Sequence, residues 1–285
     1  MDEHLKSALN SEERAAFARD GFVVARSLLS RDEALAIRDI FMDQNRDGPV
    51  EGLSEIRVKL ADGSKGTYDK ADPLAFYPRM MHPHKHPDLA VGPVAMRYML
   101  DSRIERILIE LMGDDPLAVQ SMFYFKPPGA RGQDFHQDNF YLRVKPGTCM
   151  AAWIALDDCD AENGGMMCVP DTQDYDIQCP GPTDSTLYFT SERVPVPEGK
   201  VAVLPAMHPG DVLFFNGSTV HGSGPNTSAD RFRRSLICHY IPATTAEMSS
   251  WYADVYDFTG TQIHSVRVNE DGGPCGTAQE ASGPH

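Results

Sequence analysis

The sequence predicts a mainly β fold of jelly-roll type, a sandwich or barrel of short strands buttressed by helices gathered in the first third of the chain. Three observations carry this. Helix start and stop signals cluster before residue 114, and beyond residue 116 short apolar or alternating runs follow one another, separated by Pro, Gly, Asn and Asp. No Pro-rich linker divides the two textures. Residues 1–267 therefore read as one domain, a helical layer mostly over 11–112 and a jelly roll over 117–245, and 268–285 has the composition of a flexible tail.

The elements follow in order. Ser11 precedes EERAAFAR, closed by Gly21. Ser30 precedes RDEALAIRDIFMDQ, with Glu33 placed to complete a capping box. Ser102 precedes RIERILIELM, with Glu105 in the same role and Gly113 as the stop. Ile104, Ile107, Leu108 and Leu111 fall at helical spacing and make a one-sided apolar stripe. Residues 46–88 are rich in Gly, Pro, Asp and Lys without strong periodicity, the texture of a binding loop or lid. Within them HPHKHPD (82–88) carries two prolines and reads as a loop with a histidine cluster. Strands are expected at 117–126, 139–144, 148–156, 165–170, 186–190, 200–205, 211–217 and 232–241.

Charge narrows the partners. Lys and Arg number 26 against 41 Asp and Glu, a net −15 over 285 residues. This balance counts against nucleic acid and anionic membrane surfaces and suits a neutral or cationic small-molecule substrate. MDEHLKSALN lacks the pattern of a secretory signal, and the longest apolar run, 149–156, is far short of the roughly 20 residues of a membrane span. The six cysteines show no C-x-x-C pair and no zinc spacing, so they read as reduced, mostly buried thiols of a cytoplasmic protein, a monomer or small homo-oligomer.

H-x-D occurs twice, at 136–138 and 86–88, so the bare pattern decides nothing. Context separates them. His136 and Asp138 sit in FHQDNFYL, where a strand would project residues two apart into one cavity and offer a metal an imidazole and a carboxylate. His221 falls at a strand start after DVLFF and is followed by small residues that leave room for a ligand. RFRRSLICHYI is apolar on both faces, so at least one of Arg233 and Arg234 points inward, toward an internal Asp or a bound dicarboxylate.

Two His and one carboxylate with open positions suit non-haem Fe(II), a chelating cosubstrate and O₂. The order H-x-D, a His 83 residues on and an Arg 12 residues further resembles the Fe(II)/2-oxoglutarate dioxygenases and, more narrowly, the phytanoyl-CoA dioxygenase family. HQDNFY, MAAWIALDD, ENGGMMCVPDT, GDVLFF and HGSGPN leading to FRRSLICHY carry the likeness over roughly residues 15–245. It weakens over 46–88 and 172–198.

The resemblance implies a double-stranded β-helix of cupin-like form, iron on His136, Asp138 and His221, and 2-oxoglutarate anchored by Arg233 with help from Ser223. Trp153 and Gln137 match pocket-lining residues, with Tyr124 expected beside them. The His-to-Arg interval is one residue longer than the family's usual, which keeps Arg234 as a second choice for the anchor. An Asp at 138 leaves no vertex for a halide, so hydroxylation or desaturation, with release of succinate and CO₂, is expected over halogenation. Gln120, Phe123, Phe140, Arg79 and His82 are candidate substrate contacts, with 77–86 as a lid. The expected substrate is a small polar, amine-bearing secondary metabolite such as an aminoglycoside-like antibiotic intermediate. An acyl-CoA or other apolar substrate is the alternative within the same chemistry, and a non-catalytic jelly-roll binding protein or a zinc or manganese enzyme of the same shape lies outside it.

Overall fold

The computed structural model describes residues 8–59, 65–269 and Cys275. An eight-stranded antiparallel sheet forms its frame. In chain order its strands are β1 (Phe22–Ala25), β2 (Met80–Met81), β3 (Pro116–Tyr124), β5 (Met150–Ala155), β7 (Val212–Asn216), β9 (Ser235–Pro242), β10 (Val255–Tyr256) and β11 (Gln262–Ile263). They lie side by side as β1-β7-β5-β9-β3-β10-β11, with β2 pairing β3. A second, three-stranded sheet, ordered β4-β8-β6, consists of β4 (Gln133–His136), β6 (Met166–Cys168) and β8 (His221–Ser223). Two antiparallel sheets facing each other make the expected double-stranded β-helix.

Side-chain alternation assigns the large sheet's two faces. Ala152, Ile154, Phe214, Leu236, Cys238 and Tyr240 pack outward against the helices, joining Ala34, Ile37, Phe41, Ile104, Ile107 and Leu108 in one core. Ala151, Trp153, Leu213, Phe215 and Ile237 point inward, toward Cys168 of the small sheet. Each large apolar side chain fully buried here contributes about 1.5–3 kcal/mol. The helical layer is therefore what lets one face of the sheet be dry while the other is kept for the site.

The helices α1 (Ser11–Asp20), α2 (Arg31–Gln44) and α4 (Ser102–Met112) lie where the sequence puts them, with corrections at the caps. Ser30 and Glu33 do form a capping box on α2. At α1, however, Asn10 caps and pairs reciprocally with Glu13, and at α4 Asp101 caps, so Ser11 and Ser102 are first helical residues. In each case the short amide or carboxylate one residue upstream accepts from the free amides of the first turn. A further helix, α3 (Val91–Met99), was not expected; a Pro and two Gly/Ala positions blunt its signal.

Other differences are equally local. Residues 139–142 form a one-turn helix, α5 (Asn139–Leu142), ended by Arg143 in the left-handed region, instead of a strand. The runs 186–190 and 200–205 make only isolated bridges, Tyr188 to Gly132 and Val203 to Cys168. Arg267–Asn269 pairs in parallel with Glu247–Ser249, so the expected tail begins as a strand; 270–274 and 276–285 lie outside the described residues. Two of the six cysteines are oxidised: Cys179 bridges Cys275, with Cα atoms 5.5 Å apart, while Cys149, Cys159, Cys168 and Cys238 are buried thiols. A pairing across 96 residues is invisible to spacing. No described helix is long and apolar enough to cross a membrane.

Candidate active site

The small sheet brings two histidines face to face. His136 ends β4 and His221 opens β8, and the two are register partners. Each imidazole is fixed by the backbone two residues before it: His136 Nδ1 lies 2.7 Å from the Asp134 carbonyl and His221 Nδ1 2.8 Å from the Thr219 carbonyl. A carbonyl only accepts, so each Nδ1 carries the hydrogen and each Nε2 offers a lone pair inward. Burial, then the neighbouring His221, lowers the pKa of His136 and keeps it neutral.

Asp138 joins them by a route other than strand alternation. The strand stops at His136, and Asp138 has helical φ and ψ of −59° and −37° at the head of α5. The chain turns there, with the Asn139 amide donating to the Gly217 carbonyl. Asp138 Oδ1 then lies 3.6 Å from His136 Nε2 and 3.4 Å from His221 Nε2. One ligand atom from each of the three residues falls within 4.8 Å of the others, and all three residues are buried. Two imidazole lone pairs and a carboxylate on one side of a buried space suit a divalent transition metal with open positions.

The other oxygen of Asp138 is already engaged. His239, fully buried on β9, places Nε2 3.0 Å from Asp138 Oδ2. A hydrogen bond to Oδ2 turns Oδ1 toward the imidazoles. The sequence reading passed over His239, although it shares its strand face with Arg233, Ser235 and Ile237 at two-residue spacing.

The large sheet supplies a basic end to the same cavity, which is lined by Tyr124, Trp153, Ser223 and Arg233 together with His136 and His221. Arg233, 3 % exposed, donates from Nε to the Gly164 carbonyl (3.1 Å) and from Nη1 to Ser235 Oγ (3.2 Å), with its guanidinium 5.3 Å from the Trp153 ring centre. Among the described residues no carboxylate pairs with it. Arg234 takes the opposite face and forms a two-pronged pair with Asp157 at 2.7 Å. The internal Asp is thus the partner of Arg234, and Arg233 is the arginine facing the cavity.

Beside Arg233 lies a second buried basic side chain, which no sequence motif marks. Lys126 is 5 % exposed and donates to Ser223 Oγ at 2.8 Å and to the Gly164 carbonyl at 3.1 Å. Tyr124 takes a hydrogen bond from Arg79 Nη1 (2.9 Å). Arg79 is itself clamped on Glu55 through Nε and Nη2, at 2.5 and 2.9 Å.

The remaining expected residues divide. His82 approaches Gln120 at 3.3 Å, on the strand that carries Tyr124. Gln137 turns away from the cavity, donating to the Ser218 carbonyl and accepting from the Gln178 amide, 2.8 Å each, and so ties the 172–198 segment to the turn before His221. Phe123 stacks on Phe41 in the helical core with ring centres 4.1 Å apart, and Phe140 packs with Tyr141, Leu142 and Ile241. Both aromatic rings are core side chains.

The model of the family described as phytanoyl-CoA dioxygenase (PhyH) matches residues 17–235. The chain belongs to the phytanoyl-CoA dioxygenase family. It is a 2-oxoglutarate-dependent non-haem iron oxidoreductase, and the buried donor set described above fits the iron. Phytanoyl-CoA dioxygenase 1 of Oryza sativa subsp. japonica is 26 % identical over 251 residues, covering 83 % of this chain and 81 % of the rice protein. Phytanoyl-CoA dioxygenase domain-containing protein 1 of Bos taurus is 25 % identical over 269 residues, covering 83 % and 91 %. Among solved structures, the family chain resembles the α-ketoglutarate-dependent carbocyclase SnoK from nogalamycin biosynthesis, with TM-score 0.63, 22 % identity and 88 % of each chain covered. EctD from S. alaskensis, solved with 2-oxoglutarate and 5-hydroxyectoine, gives TM-score 0.64 at 18 % identity over 93 % of this chain and 89 % of that one. At such identities the likeness is one of fold.

Proposed function

We propose that His136, Asp138 and His221 hold the ferrous ion, that Arg233, Ser223, Trp153 and Tyr124 hold 2-oxoglutarate, and that the enzyme hydroxylates or desaturates a small, polar, amine-bearing metabolite of the aminoglycoside-like kind. Iron and 2-oxoglutarate, when bound, supply O₂-driven oxidation with release of succinate and CO₂. The chain's own contribution is orientation. His239 turns one carboxylate oxygen of Asp138 toward the metal position, and the carbonyls of Asp134 and Thr219 set the two imidazoles. Arg233 offers a buried cation with no carboxylate paired to it among the described residues, which supports a bound carboxylate at that end of the cavity. Apolar and aromatic walls keep the space dry.

One observation carries the substrate class. A cleft of about 450 Å³ is lined by Asp69, Asp72 and the hydroxyls of Thr67, Thr183, Ser185, Thr186, Tyr188, Thr190 and Ser191. It adjoins the inner cavities through shared lining: Tyr68, Arg131 and Phe189 on one side, then Tyr124 and Arg233. Among the described residues that line it, the one cation, Arg131, is paired with Asp72 at 2.7 Å. With Asp72 engaged by Arg131, Asp69 and the hydroxyls suit an amine-bearing, oxygen-rich compound and offer little to the phosphates of a coenzyme A ester. SnoK and SnoN, both from nogalamycin biosynthesis, support a place in antibiotic or other secondary metabolism. A cytoplasmic monomer or small homo-oligomer belongs to the same proposal.

Succinate release across a panel of amino sugars, neutral glycosides and acyl-CoA esters tests it. Amino sugars are expected to stimulate release; turnover confined to acyl-CoA esters overturns the substrate class. Arg233→Met is expected to weaken 2-oxoglutarate binding about tenfold or more, as loss of a charge-assisted contact does, while Arg234→Met leaves it near wild type. The reverse pattern overturns the assignment of the anchor.

A further inference from the structure

Lys126 and Arg233 donate to the same atom, the Gly164 carbonyl, each at 3.1 Å. Both side chains are almost fully buried, and among the described residues neither is paired with a carboxylate. The other two basic groups lining the cavity beside them are balanced: Arg79 by Glu55 and Arg131 by Asp72. Position 164 is built around this arrangement. Its φ is +71°, and a Cβ there would lie 2.8 Å from Lys126 Nζ, so glycine alone fits. Nothing else in the described molecule puts two buried basic side chains without a carboxylate partner on one acceptor.

We propose that Lys126 is a second anchoring cation for the far carboxylate of 2-oxoglutarate and that its amine takes up a proton from solvent as the dianion binds. The inference rests on the reading of Arg233 as the anchor. Burial, and then the adjacent guanidinium, push the pKa of Lys126 well below its usual 10.5. A carboxylate arriving at Arg233 cancels that repulsion and adds an attraction of its own, which shifts the Lys126 amine toward the ammonium form. The other titratable groups near Lys126 among the described residues hold their charge near neutral pH. The Cys159 thiol is raised to about 12 by burial, the Tyr124 phenol is raised likewise, and Arg79 and Arg131 stay in their ion pairs. Ser223 accepts from Lys126 through Oγ, which frees its own hydroxyl hydrogen to point to the ligand.

The test is calorimetry on Mn(II)-loaded protein at about pH 7.5, with 2-oxoglutarate and with pyruvate, in buffers of different ionisation enthalpy. Pyruvate keeps the 2-oxo acid end and lacks the far carboxylate, so protons exchanged at the metal cancel in the comparison. Wild type is expected to take up about one more proton with 2-oxoglutarate than with pyruvate. Lys126→Met is expected to lose that difference, to bind 2-oxoglutarate about tenfold or more weakly, and to bind pyruvate as before. Equal proton counts for the two acids in wild type overturn the inference, and that measurement stands even if the variant does not fold. So does unchanged 2-oxoglutarate binding by Lys126→Met. Arg233→Met separates the two readings. Wild-type 2-oxoglutarate affinity in that variant removes the anchor, whereas weakened affinity together with an unaltered proton count in Lys126→Met removes only the role of Lys126.

Discussion

At position 239 one imidazole decides which oxygen of Asp138 faces the two histidines, because His239 Nε2 occupies Oδ2 at 3.0 Å. A ligand carboxylate free to rotate loses the orientation that a metal site needs. His239→Ala is therefore expected to weaken Mn(II) or Fe(II) binding about 10–100-fold, and His239→Gln, which can still donate, to recover part of it. Metal titration followed by electron paramagnetic resonance reads this directly, and wild-type affinity in the alanine variant contradicts it. His136, Asp138 and His221 could be named from the sequence because their order and neighbours are distinctive. Strand parity alone could not separate Arg233 from Arg234, since both faces are apolar; the resemblance favoured Arg233, and the pairing of Arg234 with Asp157 leaves Arg233 as the one facing the cavity. Lys126 and His239 carry no motif. Each matters through partners at sequence separations of 97 and 101, which no local pattern encodes.

Elements were legible where a local rule acts alone. The Ser30–Glu33 box and the glycines after α1 and α4 mark helix ends by their own chemistry. Strands carrying the site were legible as apolar runs. The run 139–144 misled because β-type residues there serve a one-turn helix that seats Asp138, and tertiary packing outweighs propensity over four residues. The histidine-bearing segment misled in the other direction. Read as a loop or lid, it is packed on β3: His84 is 4 % exposed with Nδ1 2.6 Å from Ser121 Oγ, and His82 reaches Gln120. Burial, first among the causes, lowers His84 to about 3 and His82 to about 4 from an ordinary 6.5. In that window the unfolded chain binds protons that the folded chain refuses, so stability rises with pH from about 3 to 6.5 and is lost as pH falls through it. Thermal unfolding between about pH 7 and 4 is expected to show a falling melting temperature, and His84→Gln to flatten the slope. An unchanged slope in the variant means that His84 is protonated without unfolding.

The whole molecule carries two features that composition alone misjudges or leaves incomplete. Thiol count is the first: the denatured, unreduced protein is expected to alkylate at four cysteines and to reach six after reduction, with Cys179 and Cys275 as the protected pair. Six without reduction means that the bridge does not form. The second is the field. A net charge of −15 repels a dianion at long range, while the attraction of Arg233 is confined to a buried pocket. Salt acts mainly on the first, because the screening length falls from about 30 Å at 0.01 M to about 8 Å at 0.15 M, and buried groups are screened far less. Raising salt over that range is expected to speed association of 2-oxoglutarate with the metal-loaded enzyme and to slow that of an amine-bearing substrate, which the same field draws in. Opposite slopes in stopped-flow binding experiments bear this out. Two slopes of one sign mean that the pocket's own cations or the cleft carboxylates govern approach, and that the overall acidity of the chain carries no information about its substrate.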